Sequence, residues 1–340
     1  MNMFGNEFED IKMIAERPYD WAKLNNKTLL ISGGTGFIGT LFCDVIEYRN
    51  RKFGENTKII SLSRKDRADT ETIRFLKQDV SLPFVIDEPI DFVLHLASNT
   101  HPKQYEEDPV GTVITNVYGC NNLLKIAAAK RAKFLLASSV EIYGQGTDIP
   151  MREDYCGYID CNSARAGYNE SKRVCESLLQ SYRKQNGICA LTARFSRVFG
   201  ADKKADTKAM NQFMQKALRK EDIVLKSMGN QRFSYAYVAD VVSALFFLLF
   251  NGKDGEAYNV AAQDDGLTLG EYAQFIAGLA GKHVVYDIEN NIFASQISYA
   301  IMDISKIENL GWQPMYTVKD GLKRTFEILS ANSTAESKKD

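Results

Sequence analysis

A short β-type run, Thr28–Ser32, opens directly into Gly33-Gly34-Thr35-Gly36-Phe37-Ile38-Gly39, and helical spacing follows over Thr35–Tyr48. Few folds place a strand, a glycine-rich turn and a helix in that order. Glycines three residues apart permit a tight turn, a backbone that can approach a pyrophosphate, and close packing of helix on strand. The helix N-terminus then faces the anion. The pattern predicts a dinucleotide site touching Gly33, Gly36, Phe37, Ile38 and Gly39. The plainer reading is a structural turn.

The chain then alternates. Strand-like runs fall at Lys58–Leu62, Asp91–Leu96, Lys133–Ser138 and Gly187–Phe195, with helical patterns at Val113–Lys130 and Ala166–Lys184. Such alternation predicts an α/β fold, a Rossmann-type doubly wound parallel sheet with ligands at the carboxyl ends of its strands. Helices at Met210–Leu218, Leu269–Ala280 and Val318–Leu329, with a strand at Asp222–Lys226, suggest a smaller mixed α/β C-terminal substrate domain. A chain of 340 residues accommodates about two domains at roughly 100–200 residues each. The expected division is an N-terminal extension over 1–26 and a dinucleotide-binding domain over 27–195, to which 235–262 returns. The substrate domain takes 196–234 and 263–330, and the polar segment 331–340 is expected to be a flexible tail. Trp21, Trp312 and the run Leu245 to Phe250 read as core.

Composition removes several functions. Forty-two Lys and Arg against 43 Asp and Glu leave a net charge of −1, so no basic excess speaks for nucleic acid. His95, His101 and His283 have no companion ligands, and no metal site is expected. The six cysteines form no C-x-x-C pair and read as reduced thiols. The longest apolar run, Ala244 to Phe250, is too short to span a bilayer, and Met1 to Asp20 lacks an export-type apolar core. No membrane association and a cytoplasmic location are the expectations.

The chemistry concentrates in Tyr168-Asn169-Glu170-Ser171-Lys172, which puts Tyr168 and Lys172 on one helix face. A phenol with a pKa of about 10 is a poor base at neutral pH. A neighbouring ammonium favours the phenolate and should lower that value. About one strand-and-loop upstream, Ser139 ends a strand, where its hydroxyl can hold the oxygen that Tyr168 deprotonates. At the end of the second strand, Ser63-Arg64-Lys65 stands where an acid would bind the ribose of NAD. A hydroxyl and two cations fit the 2′-phosphate of NADP, or are a solvated basic loop.

Further motifs carry a resemblance. They are His95-Leu96-Ala97-Ser98 through Pro102, Tyr105, Pro109-Val110, Thr115-Asn116, Gly119 and Asn122; and Ser139-x-Glu141-x-Tyr143-Gly144. Glu153-Asp154-Tyr155-x-Gly157 and Arg165-Ala166-x-Tyr168-x-Glu170-x-Lys172-Arg173 complete the set. With the glycine loop, they make residues 27–262 resemble the extended short-chain dehydrogenases/reductases, in the nucleotide-sugar epimerase/dehydratase group. Within that group the chain is most similar to the UDP-glucuronate decarboxylases. The resemblance implies NAD as cofactor, a nucleotide-diphosphate sugar as substrate, and a homodimer paired through the Val113–Lys130 and Tyr168 helices. It also implies oxidation at sugar C4 to a 4-keto intermediate, with Tyr168 as base and Ser139 polarising the C4 oxygen. Lys172 would bind the nicotinamide ribose, Asp79 and Val80 would meet the adenine, and Ala97 and Asn116 would complete the cofactor site. Glu141 marks decarboxylases and 4,6-dehydratases; 4-epimerases need no base there. Decarboxylation therefore leads, ahead of 4,6-dehydration and 4-epimerisation. A dinucleotide-binding regulator without catalysis is the reading from another class.

Three positions depart from the group. Val140 stands where a dehydratase has an acidic Asp, and valine has no proton to give. Phe233 takes the place of an arginine that meets substrate anions, with Arg232 one residue earlier and therefore on the other face of a strand. Arg197 replaces an Asn near the pyrophosphate. The last two suggest a relocated charge, with Arg197, Lys208 and Arg232 as substrate-binding candidates. Lys203 and Lys204 add charge beside Lys208, as phosphate neighbours or as a solvated loop.

Overall fold

The fold was obtained as a computed structural model that describes residues 5–98, 107–147, 149–163, 165–202, 208–288 and 299–336. The apolar runs form strands β1 (Thr28–Ser32), β2 (Lys58–Ser63), β3 (Ile73–Lys77), β4 (Phe92–His95), β5 (Lys133–Ser139) and β6 (Ala190–Phe195). Short strands follow: β7 (Arg197–Phe199), β8 (Ile223–Leu225), β9 (Arg232–Phe233), β10 (Tyr235–Tyr237), β11 (Ala257–Val260), β12 (Val284–Tyr286) and β13 (Tyr299–Ala300). The helices are α1 (Phe8–Ala15), α2 (Phe37–Phe53), α3 (Pro109–Lys130), α4 (Ala166–Asn186), α5 (Ala209–Leu218), α6 (Val238–Asn251), α7 (Leu269–Leu279), α8 (Ser305–Leu310) and α9 (Val318–Glu336).

Seven strands pair in parallel in the order β11-β6-β5-β4-β1-β2-β3. The order reverses between β1 and β4, and that switch point opens a crevice at the strand ends. Side-chain alternation separates the two faces. Leu29, Ile31, Leu94, Leu135 and Leu191 pack with α1, α2 and α6. Leu30, Val93, Phe134, Leu136 and Ala190 pack with α3 and α4. A strand buried on both faces needs such an unbroken apolar run. The expected core residues are there: Trp312 is fully buried, Trp21 and Leu245 to Phe250 are buried, and the Phe42 and Phe246 rings stack at 4.1 Å.

The structure differs from expectation at several ends. Helix α2 begins at Phe37 rather than Thr35, because Gly33 has a positive φ and Gly36 is extended. Strand β6 begins at Ala190, since Gly187 caps α4 in the left-handed conformation. Edge strand β3 escaped the sequence reading because its residues are mostly solvent-facing. Part of the expected flexible tail is helix: α9 continues to Glu336, and its Asn332 Oδ1 accepts from Asn6 Nδ2 at 2.7 Å. Residues 337–340 lie outside the described residues.

Helix α1 is a core element, with Ile11, Ile14 and Ala15 fully buried. It also carries Glu7 at its start toward Asp44 of α2. Burial first, then the charges of Glu47 and Glu7, push the Asp44 carboxyl up to about 7. The folded state therefore holds this proton more tightly than the unfolded chain. No penalty exists below the ordinary carboxylate range; it grows as pH rises to about 7 and persists above. Asp44→Asn should stabilise the fold by about 3–4 kcal/mol near pH 8, and by roughly 1–2 kcal/mol near pH 5. Urea unfolding at both pH values checks this; an equal shift at both would refute it.

Candidate active site

The glycine turn is fixed by contacts that exclude side chains. Gly33 has φ +78°, and a Cβ there would lie 2.7 Å from Ala97 N. At Gly39 a Cβ would lie 2.2 Å from Gly33 O. The Gly36 N-cap lacks a side-chain cap, so the first N–H groups of α2 point into the crevice, as a pyrophosphate requires. This cradle fits a dinucleotide. At the end of β2, Ser63 Oγ donates to Lys65 O at 2.8 Å and accepts from Lys65 N at 3.2 Å. Arg64 is left exposed at the cavity wall. Across from it, hydrogen bonds from Ser81, aided by the Arg64 charge, hold the Asp79 carboxyl below its usual range.

One cavity of about 880 Å³ joins this end to the chemistry. Gly33, Gly36, Phe37, Ile38, Gly39, Ser63, Arg64, Asp79, Val80 and Ala97 line its cofactor end. Ser139, Glu141, Tyr168, Lys172, Arg197 and Lys208 line the remainder. Among the described residues, two candidates stay outside. Asn116 is buried beneath the site: its Oδ1 accepts from Ser98 Oγ at 2.7 Å and its Nδ2 donates to Ser171 Oγ at 2.9 Å. Arg232 turns away on β9 and pairs with Asp264 at 2.7 Å. Pro102, Tyr105, His101, Lys203 and Lys204 lie outside the described residues.

Strand β5 delivers Ser139, and its backbone continues into a 3-10 turn, Val140–Tyr143, that carries Glu141. Helix α4 delivers Tyr168 and Lys172, both buried, from one face. Tyr168 is hydrogen-bonded to Ser139 and to Ser98. The expected lowering of its pKa is not found. Burial pushes the phenol up to about 12, and the two hydroxyls offset only part of that. Lys172 Nζ instead donates to Ala137 O at 3.0 Å, with its nitrogen 6.0 Å from the Tyr168 ring centre. Burial also lowers the Lys172 ammonium from its ordinary value. His95 is buried, pushed down to about 3, and bonded through Nδ1 to Ser32 Oγ at 2.7 Å, so it is a neutral structural imidazole.

Sequence reading missed two participants. Ser98 reaches Tyr168, and Asn169 Nδ2 donates to Glu141 O at 2.9 Å, fixing the turn that presents Glu141. Asn169 stood inside the Tyr–Lys motif, but only the fold shows which way it points. Below the site, Ser138 Oγ donates to Glu176 Oε1 at 2.6 Å, and Glu176 pairs with Arg194 at 2.7 Å. This buried network anchors the end of β5 beside Ser139.

A doubly wound parallel sheet, a cradle that fits a dinucleotide at its switch point, and Ser139, Tyr168 and Lys172 in the same crevice are the arrangement of a dinucleotide-dependent enzyme. The chain belongs to the NAD dependent epimerase/dehydratase family, which it matches over residues 29–261. It is 31% identical over 310 residues to UDP-glucuronic acid decarboxylase 3 of Arabidopsis thaliana, covering 87% of each chain. It is 29% identical over 335 residues to UDP-glucuronic acid decarboxylase 1 of Danio rerio, covering 96% of this chain and 77% of that one. Among solved structures, a dTDP-glucose 4,6-dehydratase of Bacillus anthracis in complex with NAD superposes with a TM-score of 0.74. That pair shares 20% identity, covering 91% of this chain and 98% of the other. The regulator reading falls away, because the family and these relatives are enzymes.

Proposed function

We propose that this enzyme decarboxylates a nucleotide-linked hexuronate, with UDP-glucuronate as substrate, through a 4-keto intermediate. The observation that carries the reading is the turn after β5. Ser139, Val140 and Glu141 all line the cavity with Tyr168, and Val140, between the two polar residues, is apolar. A 4,6-dehydration needs an acid for the leaving C6 hydroxyl, and Val140 cannot provide one. The decarboxylase relatives support the same branch.

In this reading Tyr168 takes the C4 hydroxyl proton while Ser139 holds the oxygen. Bound NAD supplies the acceptor for the C4 hydride and can return it. The carboxylate is then β to a ketone, so the C5–C6 bond breaks and its electron pair moves to the C4 oxygen as an enolate. Carbon dioxide leaves. Ser139 and the protonated Tyr168 stabilise that oxyanion, and Glu141 lies on the wall where a proton must reach C5. Incubation with UDP-, dTDP-, GDP- and CDP-sugars followed by mass spectrometry tests this: UDP-glucuronate should lose carbon dioxide. Loss of water, or an unchanged mass with altered retention, would mean another reaction.

The family supports NAD as the resident cofactor. The carboxylate-free end of β2 with Arg64 is the feature that favours NADP. The mass of the dinucleotide released on denaturation distinguishes them, and NAD is expected.

The reading also includes a homodimer in the cytoplasm. Val110, Ile114 and Tyr118 are 72%, 37% and 52% exposed at four-residue spacing on α3, beside Val174 of α4 at 42%. This apolar stripe suits the same helices of a second copy. Among the described residues, no helix is long and apolar enough to cross a membrane, and the cysteines are free. Tyr118→Glu should halve the mass in sedimentation equilibrium; a mass unchanged from wild type would remove α3 from the interface.

A further inference from the structure

Arg197 opens β7, separated from the end of β6 by one residue, and lines the cavity. Its guanidinium lies flat on the Phe233 ring, 3.8 Å from the ring centre. Stacking fixes the plane of the fork and so the directions of its N–H groups. Arg197 Nη2 is 3.9 Å from Glu141 Oε1, well beyond the 2.7–2.9 Å of a close charge-assisted hydrogen bond. Arg197 Nη1 is buried and has no hydrogen-bond partner among the described residues. A desolvated, charged donor left unpaired is unfavourable, and an incoming anion would relieve it.

The position selects which anion. Ser139 and Tyr168 mark where the sugar C4 oxygen sits, and Glu141 is two residues from Ser139. On a six-membered sugar ring, the carbon bearing the diphosphate lies across from C4, whereas a C5 carboxylate is next to it. A cation beside Glu141 therefore meets the C5 substituent. We propose that Arg197 is the specificity-determining residue for the substrate carboxylate, and that Glu141 is its internal counter-ion, displaced when the substrate carboxylate arrives. This rests on the hexuronate reading above and extends it to how the acid is told from the neutral sugar. Decarboxylation disperses the carboxylate charge, so Arg197 serves binding more than the chemical step.

The test uses NAD-loaded protein carrying Tyr168→Phe, so that ligands bind without turnover, and calorimetric titration with UDP-glucuronate, UDP-glucose and UDP. Arg197→Met should weaken UDP-glucuronate by about tenfold or more while UDP-glucose and UDP change by no more than about twofold. Arg197→Lys, which keeps the charge but loses the fork, should fall between. Glu141→Gln should tighten UDP-glucuronate by about threefold or more and leave UDP-glucose unchanged. Retained NAD in each variant shows that the fold is intact. An equal loss for all three ligands would make Arg197 a diphosphate reader and overturn the proposal. So would no loss, or weaker UDP-glucuronate binding in Glu141→Gln. Failure of the decarboxylase reading looks different: enzyme with Tyr168 intact would bind UDP-glucuronate through Arg197 yet release no carbon dioxide.

Discussion

Tyr168→Phe should lower turnover by about 10³-fold or more while leaving NAD and nucleotide-sugar binding within about twofold. The phenol is buried and hydrogen-bonded to Ser139 and Ser98, and in the proposed reaction it takes a proton from the oxygen that Ser139 holds. Phenylalanine keeps the ring and its packing and removes only the hydroxyl. The loss should therefore appear in kcat with little change in KM. The same measurement carries a pH signature. Because burial sets the free phenol at about 12, the phenolate fraction rises steadily through the neutral and alkaline range, and kcat/KM should rise with it. Any inflection below that value in NAD-saturated enzyme measures how far the loaded site favours the phenolate. A variant that keeps even a tenth of wild-type turnover would place the base elsewhere.

The second large effect lies at the cofactor cradle. Gly39→Val should abolish stoichiometric NAD retention and weaken titrated NAD by about 100-fold or more. The added Cβ would meet Gly33 O at 2.2 Å and Gly34 Cα at 2.6 Å, both backbone atoms of the turn proposed to hold the pyrophosphate. Relief requires α2 to move off β1, and the N–H groups of its first turn move with it. Gly278→Ala is the control: a Cβ there meets nothing within 4 Å, so it should leave NAD binding unchanged. NAD retained at wild-type stoichiometry by Gly39→Val would mean that the pyrophosphate does not sit on this turn.

What could be read from the sequence follows from where local chemistry is decisive. Strands β1, β4 and β5 are buried on both faces, so their apolar runs were visible. The glycine turn was visible because only glycine meets its steric demands. Strand β3 sits at the sheet edge with Arg74, Phe75 and Leu76 partly in solvent, and its mixed composition hid it. Strands β9 and β13 have two residues each and exist through pairing between segments distant in the chain, which no local pattern records. At the site, i, i+4 spacing placed Tyr168 and Lys172 on one face. It could not show that burial outweighs the hydrogen bonds to Ser139 and Ser98, or that Lys172 turns to Ala137 O instead. Arg197 and Phe233 attracted notice as two linked departures, read as a relocated charge. Their stacking, and the distance between Arg197 and Glu141, depend on β7, β9 and the turn after β5 converging.

The central claim is that Tyr168 and Ser139 serve oxidation at sugar C4, and that this oxidation drives loss of the neighbouring carboxylate. UDP-glucuronate carrying deuterium at C4 tests both halves in one reaction. The account predicts that carbon dioxide is released and that the deuterium is recovered in the nicotinamide or at C4 of the pentose product, with none in water. A product that keeps its carboxylate, or deuterium released to solvent, would contradict it.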